Sequence, residues 1–241
     1  MATFEEQVNG LTGLGATLSA STTPTDAELD QFLKDGVVDV TSKHLAIRPQ
    51  DAFLFMRISS ESVSQAGISA PSGKIINVVR ESGTNDDWRN CREISPGLQS
   101  NVTDTNSLHY ASKYNPAYFV SEEGAILVYP SPSSGGSNSY KVYYVNGEPK
   151  DQTNNAALLH SHSDIKYFPE DKVYLVVTYA SIKSLEAKLS FYTIEEEDDE
   201  LVRSLQVSLQ QLQVSYGSGF LPDKNYEAAL QSKGQQRGQK R

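Results

Sequence analysis

The chain has 241 residues, of which 38% are hydrophobic, enough for one good core or for two smaller cores when one domain is inserted into another. Its formal net charge of -9 argues against a general binder of nucleic acid or of anionic membranes, because the long-range field repels both. The single cysteine, Cys91, excludes a disulfide framework and a thiolate metal cluster and is expected to be a buried structural thiol.

The first part of the chain predicts two helices. FEEQVNGL, from Phe4 to Leu11, has the apolar spacing of a short helix. Farther on, TDAE opens a second helix, in which Thr25 caps the start and Glu28 bonds back to the Thr25 amide. The apolar face of this helix comprises Leu29, Phe32, Leu33, Val37 and Val40. Gly36 weakens its middle by about 1 kcal/mol relative to alanine, and the next proline predicts an end within residues 45–48.

The middle of the chain predicts strands and turns, because β-branched and aromatic residues fill short runs between turn signals. FLFMRI (53–58) is a short apolar run. The predicted strand segments are KIINVVRE (74–81), WRNCREIS (88–95), the hairpin AYFVSEEGAILVYP (117–130) and YKVYYV (140–145). The loop PSPSSGGSNS, residues 130–139, is expected to be a long exposed connection outside the core. Several short strands of this kind indicate a small antiparallel sandwich or barrel.

Two long helices are predicted after this strand region. Pro169 suits the first turn of the first helix, and Glu170 and Asp171 suit its positive end. Its broad face comprises Val173, Val176, Val177, Ala180, Ser184, Ala187 and Phe191. The small residues on that face would let a partner helix approach closely. The acidic run 195–200 opens the second helix and is interpreted as solvated carboxylates, with a cation site as the alternative. The stripe of the second helix comprises Leu201, Leu205, Leu209 and Leu212, and Gly217 and Gly219 are predicted to stop it.

Together these elements predict an α+β fold. An antiparallel helical bundle carries an inserted antiparallel β domain, a small sandwich or barrel, and an extended C-terminal arm. The predicted boundaries are 1–48 and 167–216 for the two parts of the bundle, 49–166 for the β domain and 217–241 for the arm. The helix at Leu29–Val40 is expected to pack against the helices within Val173–Leu212.

The last residues form a basic arm on an acidic body. Residues 217–241 contain five basic and two acidic side chains, a net charge of +3. The apolar anchors and basic side chains of the arm, from Phe220 onward, are Phe220, Leu221, Tyr226, Leu230, Lys233, Arg237, Lys240 and Arg241. From this composition we expect the arm residues to touch no core.

Candidate catalytic and metal-binding residues are few. The segment HSHSD places His160, His162 and Asp164 close together, but only one acid is near, so a solvated polar loop is preferred over a metal-dependent hydrolase site. His44 and His109 have no neighbours that suggest ligation. The sequence has no G-x-S-x-G elbow, no P-loop and no G-x-G-x-x-G followed by a helix. We therefore expect no enzyme activity, no cofactor and no metal site.

Tyrosines crowd the strand region. They are Tyr114, Tyr118, Tyr129, Tyr140, Tyr143 and Tyr144. They either line the core of the β domain and its rim or form a contact surface, because tyrosine is enriched in interfaces. The sequence leaves both interpretations open.

No segment is expected to cross a membrane or to direct secretion. No stretch approaches the roughly 18 consecutive apolar residues that a membrane span needs. The first residues, MATFEEQVNG, lack the basic segment followed by an apolar run that marks a secretion signal.

The order of elements and two segments resemble the head-to-tail adaptor proteins of tailed bacteriophages, of the tail tubular protein A type. NSLHYASKYNPAYFVSEEGAILVYPSP, residues 106–132, followed by YKVYYV, is similar to their β domain. YLVVTYASIKSLEAKL, residues 174–189, is similar to a helix of their bundle. As a pattern of elements, the resemblance covers about residues 4–219.

The resemblance implies a structural virion protein at the head-tail junction, assembled in the host cytoplasm. Copies, usually twelve, form a ring beneath the portal protein and above a downstream tail or nozzle protein, and genome DNA passes through the lumen without sequence-specific binding. In such a ring the arm docks on the portal, so the eight arm residues named above are the expected docking residues. The alternative is a tail or baseplate module that binds a receptor or carbohydrate without catalysis, motivated by the tyrosines.

Overall fold

Helices and strands separate along the chain into two units. The computed structural model describes residues 2–13, 19, 22–69, 74–134, 137–153, 155–195 and 199–220. In chain order the elements are α1 (Phe4–Thr12), α2 (Asp26–Ile47), β1 (Met56–Ile58), β2 (Ile68–Ser69), β3 (Ile75–Glu81), β4 (Trp88–Asn90), β5 (Arg92–Glu93), α3 (Gln99–Thr103), β6 (Ala117–Val120), β7 (Ala125–Tyr129), β8 (Tyr140–Val145), α4 (Val173–Glu195) and α5 (Asp199–Ser218). Short 3₁₀ helices lie at Pro49–Phe55, Pro96–Leu98 and Glu170–Lys172. The chain is therefore α+β.

The helical unit comprises the described residues of Met1–Ile47, Leu158–Asp164 and Glu170–Arg241, and the β unit comprises those of Arg48–Ala157 and Ile165–Pro169. The β unit thus interrupts the helical unit in sequence between α2 and α4. The division places residues 158–164 with the helices, whereas the predicted β domain extends over 49–166. Within the described part of the chain, no helix is long and apolar enough to span a membrane.

Local sequence determines where α2 begins and ends. The Thr25 amide donates to Glu28 Oε2 at 2.8 Å, and the Glu28 amide donates to Thr25 Oγ1 at 3.2 Å. This reciprocal pair satisfies two amides that the first turn leaves without a helical partner, and it confirms the predicted cap. The helix ends at Ile47, within the predicted interval.

Helix α4 is the centre of the helical unit, because it contacts α1, α2 and α5. The core residues of α2 and α4 are Leu29, Leu33, Val37, Val40, Leu175, Val176, Val177, Ala180 and Leu185. The expected contact between α2 and α4 is therefore present. Ser181 and Ser184 are also fully buried, and each hydroxyl donates to a carbonyl one turn earlier at 2.8 Å, so neither is left without a partner. Helix α4 begins at Val173, after the 3₁₀ turn that follows Pro169.

A glycine permits the close approach of α2 and α4. A Cβ atom added at Gly36 would lie 3.1 Å from Tyr179 Cδ1 and 3.3 Å from Val176 Cγ1. Both distances are shorter than ordinary carbon–carbon contacts. The sequence indicated only that Gly36 weakens the helix, because the neighbouring helix is more than a hundred residues away in the chain.

We expect Gly36→Val to destabilise the protein by about 1–3 kcal/mol, because the added atoms overpack the contact between α2 and α4. Gly10→Ala is the matched control, since no atom lies within 4 Å of the added Cβ. It should stabilise α1 by about 0.5–1 kcal/mol through helix propensity alone. Urea unfolding followed by circular dichroism measures both changes. A Gly36→Val midpoint equal to that of the unmodified chain would contradict the packing account.

The end of α5 is fixed to α2 by a buried tyrosine. The Tyr216 hydroxyl donates to Asp39 Oδ2, and Lys43 Nζ lies 2.8 Å from the same carboxylate and 4.7 Å from the Tyr216 ring centre. Burial, and next the hydrogen bond to Asp39, raise the pKa of Tyr216 above its ordinary range. Helix α5 ends at Ser218, immediately before Gly219, so the predicted stop at Gly219 is confirmed, whereas Gly217 lies within the helix. Residues 196–198 of the acidic run lie outside the described residues.

The β unit contains two four-stranded sheets, with strand orders β1-β8-β3-β4 and β2-β7-β6-β5. The predicted hairpin is confirmed, because β6 and β7 pair antiparallel from Ala117↔Tyr129 to Val120↔Ile126. The expectation of a wholly antiparallel unit is wrong, because β5 pairs parallel with β6. The connection between those two strands contains α3 and a long loop, which gives the length that a parallel crossover needs.

The apolar run 53–58 is only partly a strand, and one predicted strand is corrected. Only Met56–Ile58 of the segment 53–58 is a strand, because the 3₁₀ helix Pro49–Phe55 precedes it and buries Ala52 and Phe55, three residues apart, on one face. The segment 88–95 is interrupted at Cys91, where the chain leaves the first sheet as β4 and enters the second as β5.

The main core of the β unit is formed by residues of both sheets. It comprises Val78, Cys91, Tyr118, Ile126, Val128, Tyr140, Val142 and Tyr144. In β8, Tyr140, Val142 and Tyr144 alternate into it as the two-residue period of a strand requires. Burial raises the pKa of the Cys91 thiol to about 12, so it is protonated at neutral pH. The expectation of a buried structural thiol is confirmed.

Candidate functional site and interaction surfaces

A buried arginine on β3 anchors the loop 130–139. Arg80 is 3% exposed, and its Nε donates to the Pro130 carbonyl at 2.9 Å. Its Nη1 donates to the Glu81 carbonyl at 2.6 Å, and its Nη2 donates to Asn138 Oδ1 at 3.4 Å. Burial lowers the pKa of the Arg80 guanidinium, and the nearby Glu81 carboxylate opposes that shift. The expectation of an exposed connection outside the core is wrong at the end of this loop, where Ser139 is buried.

The neighbouring side chain, Glu81, holds the same loop from the other side of the strand. Glu81 Oε2 accepts hydrogen bonds from the Ser139 amide at 3.0 Å and the Ser139 hydroxyl at 2.8 Å. Burial by itself raises the pKa of Glu81, but the hydrogen bonds from Ser139 and from the Asp86 amide, with the charge of Lys141, lower it overall. The carboxylate therefore stabilises the fold above its unfolded pKa, and this contribution is lost as pH falls through the lower folded value.

Glu81 and residues of the loop 130–139 line a polar cleft of about 210 Å³. Its lining comprises Glu61, Val63, Glu81, Asn85, Ser133, Ser134, Ser137, Asn138 and Ser139. Glu61 forms an ion pair with Lys141 at 2.8 Å, and Lys141 Nζ lies 4.1 Å from the Trp88 ring centre. The cleft thus presents hydroxyl, amide and carboxylate groups that can hydrogen-bond a small polar molecule. Its lining residues include no histidine, cysteine or lysine that could act as nucleophile or base.

The segment HSHSD, residues 160–164, forms hydrogen bonds with α2 and with the first turn of α1. The His160 amide and Nδ1 lie 2.6 Å and 2.8 Å from Asp30 Oδ1 in α2. The amides of Phe4 and Glu5, in the first turn of α1, donate to the carbonyls of His162 and His160. Residues 160–164 form a polar loop that is half-buried or exposed, as expected. Its hydrogen bonds were not expected, and they satisfy amides that a helix start leaves without a helical partner. Among the described residues, no group of three or more histidine, cysteine or acidic side chains is placed to hold a metal.

The tyrosines divide between the two interpretations that the sequence left open. Tyr118, Tyr140 and Tyr144 are buried in the core of the β unit. Tyr129 is half-buried and stacks on Phe119, and Tyr143 is also half-buried. Of the six, only Tyr114 is largely exposed, at 64%, and nearby Tyr110 is 38% exposed. A tyrosine contact surface on this unit therefore reduces to the loop that carries Tyr110 and Tyr114.

One of the eight predicted docking residues lies within the described chain. The Phe220 ring centre is 5.1 Å from that of Tyr216, at an interplanar angle of 84°. The expectation that the arm touches no core is wrong at this residue, because Phe220 packs on the end of α5. Leu221, Tyr226, Leu230, Lys233, Arg237, Lys240 and Arg241 lie outside the described residues.

Charge is distributed unequally between the two units. Residues 1–47, 158–164 and 170–220 contain 17 acidic and 6 basic side chains, a net charge of -11. Residues 48–157 and 165–169 contain 11 acidic and 10 basic side chains, a net charge of -1. The acidity of the chain is therefore concentrated in the helices.

One helical segment departs from this acidity. Residues 204–220 contain no charged side chain. Val207 and Val214 are 56% and 69% exposed there. An uncharged helix with exposed valines on an acidic unit is a surface that can contact another acidic protein without like-charge repulsion.

Comparison with known proteins gives no family assignment. No protein-family model matches this chain, and no curated protein matches it at a significant level.

Proposed function

We propose that this chain is a head-to-tail adaptor of a tailed bacteriophage. In this role it is a structural, non-enzymatic virion protein without a cofactor, and its copies form a ring between the portal protein and a downstream tail or nozzle protein. The observation that carries the proposal is the insertion of a two-sheet β unit between α2 and α4, where α4 contacts every other long helix of the helical unit. This order is the one that the resemblance implies.

In the proposed ring, the helices form an antiparallel bundle and the β unit forms a small sandwich or barrel. The contacts of α4 with α1, α2 and α5 support the bundle. The core shared by the two sheets supports the sandwich, because inner faces of both sheets contribute to it.

The charge of the helical unit suits a channel for DNA. A wall with the net charge of -11 calculated above repels phosphate groups, so DNA slides past it without adhering. Neighbouring acidic copies must nevertheless contact one another. The uncharged segment 204–220, with exposed Val207 and Val214, is a surface on which they can do so.

Negative-stain images and sedimentation velocity of the purified chain, alone and mixed with the portal protein of the same phage, test the proposal. We expect closed rings, of the twelve copies usual in such adaptors, seated on one face of the portal ring. Chains that stay monomeric under both conditions would contradict the proposed function.

A further inference from the structure

A loop of the β unit displays a large apolar side chain to solvent. Leu108 is fully exposed, Tyr114 is 64% exposed and Tyr110 is 38% exposed. We call residues 104–116 the Leu108 loop. Single exposed apolar residues are ordinary on protein surfaces, but three on one short loop offer apolar area to a partner.

The Leu108 loop is ordered by its own hydrogen bonds and by a buried anchor. Ala111 is 2% exposed, belongs to the second core cluster of the β unit and donates its amide to the Val102 carbonyl at 3.0 Å. The Ser107 amide donates to the Asp104 carbonyl at 3.0 Å. Arg92 Nη2 donates to the His109 carbonyl. Because the loop is already ordered, docking would require little further loss of conformational entropy.

The charge at the tip of the Leu108 loop favours an acidic partner. Asp104 is the one acidic residue of the loop and lies at its start, whereas residues 105–116 contain no acidic side chain, and Lys113 and His109 are exposed there. The helical unit has a net charge of -11, whereas the β unit has -1. We propose that the Leu108 loop of one copy docks on the helical unit of a second copy, where its apolar tip is buried and Lys113 faces acidic side chains.

This proposal rests on the proposed ring and adds to it the geometry of the contact. Two different surfaces meet, one from each copy, so the contact is heterologous. Heterologous contacts form closed rings when the rotation between copies closes and open filaments when it does not.

Two substitutions in the full-length chain test how much the Leu108 loop contributes to the free energy of self-association. Leu108→Asp should weaken self-association about tenfold to a hundredfold, because it replaces the burial of a leucine by the burial of a charge. Lys113→Glu should weaken self-association less. The difference between its association constant and that of the unmodified chain should shrink at high salt. Phe53→Asp, at another exposed position of the same unit, adds the same charge and should leave association unchanged. Sedimentation velocity over a concentration series gives the association constants, and circular dichroism checks that each variant is folded.

Cross-linking tests the identity of the partner surface. Leu108→Cys can be labelled selectively with a photoreactive maleimide, because Cys91 is buried and its thiol is protonated. We expect cross-linked peptides from α1, α2, α4 or α5 of another copy. Cross-links only to peptides of the β unit would overturn the proposal.

The outcomes separate this proposal from the proposed function. Rings that form equally well with Leu108→Asp overturn the docking of the loop and leave the adaptor proposal in place. A wild-type chain that stays monomeric with and without portal overturns both. Loss of rings with Leu108→Asp, together with cross-links to the helical unit, supports the proposal.

Discussion

Removal of residues 221–241 is expected to abolish docking to the portal ring while both units stay folded. The deleted residues contain five basic and two acidic side chains and the apolar anchors Leu221, Tyr226 and Leu230. Phe220 is retained in this truncation because its ring packs on Tyr216. Folding is expected to persist because the described core residues of both units all precede residue 221.

The expected effect is large because the arm acts in many copies at once. One arm alone should bind the portal weakly, because it offers few apolar and basic side chains. Many arms on one ring bind one portal with a gain of about 10²–10⁴ over a single arm. Without the arms, binding should fall by at least about a hundredfold, which cosedimentation with the portal ring measures.

Matched variants separate the charge of the arm from its apolar anchors. Replacing Lys233, Arg237, Lys240 and Arg241 by glutamine should weaken docking most at low salt, because screening reduces the contribution of exposed charges at high salt. Replacing Tyr226 and Leu230 by serine should weaken docking at every salt concentration. A truncated chain that docks as well as the full chain would show that the arm has no part in docking.

The features that were predicted correctly from sequence are determined by residues that lie close together in the chain. The cap at Thr25 and Glu28 lies within four residues, and the end of α2 follows from a nearby proline. The hairpin β6–β7 also depends on a short turn, in which Gly124 has a φ of 76° that favours glycine. Such signals need no knowledge of distant partners.

The errors concern residues whose partners are distant in sequence. The parallel pairing of β5 with β6 depends on the crossing of the chain at Cys91, which a run such as WRNCREIS does not indicate. The two-residue strand β2 was missed because its pairing with β7 determines it more than its composition. The hydrogen bond of His160 was not predicted because its partner, Asp30, lies 130 residues away.

The candidate site was also hidden from sequence analysis. In KIINVVRE, two charged residues at the end of a β-branched run look like the exposed end of a strand. Arg80 and Glu81 are buried instead, because the loop 130–139 supplies acceptors to one and donors to the other. The only signal was the richness of that loop in serine and asparagine, which equally suits an exposed loop.

Arg80→Met is expected to destabilise the protein by about 3 kcal/mol, whereas Arg89→Met should change stability by less than about 0.5 kcal/mol. The two arginines are directly opposed on β3 and β4, so they differ mainly in burial. Arg89 forms a surface ion pair with Asp87 at 3.0 Å, and its side chain is 47% exposed. Arg80 is buried and donates to three oxygen atoms.

Methionine retains most of the buried length of Arg80, so the substitution removes the charge and the donors more than the packing. Two opposing effects then decide the result. Removing a buried guanidinium relieves its desolvation, which can make such a replacement neutral. It also leaves the carbonyls of Pro130 and Glu81 without their donor, and the loop 130–139 loses an anchor. We expect the loss of hydrogen bonds to dominate. Equal urea midpoints for Arg80→Met and Arg89→Met would show instead that the relief of desolvation offsets that loss.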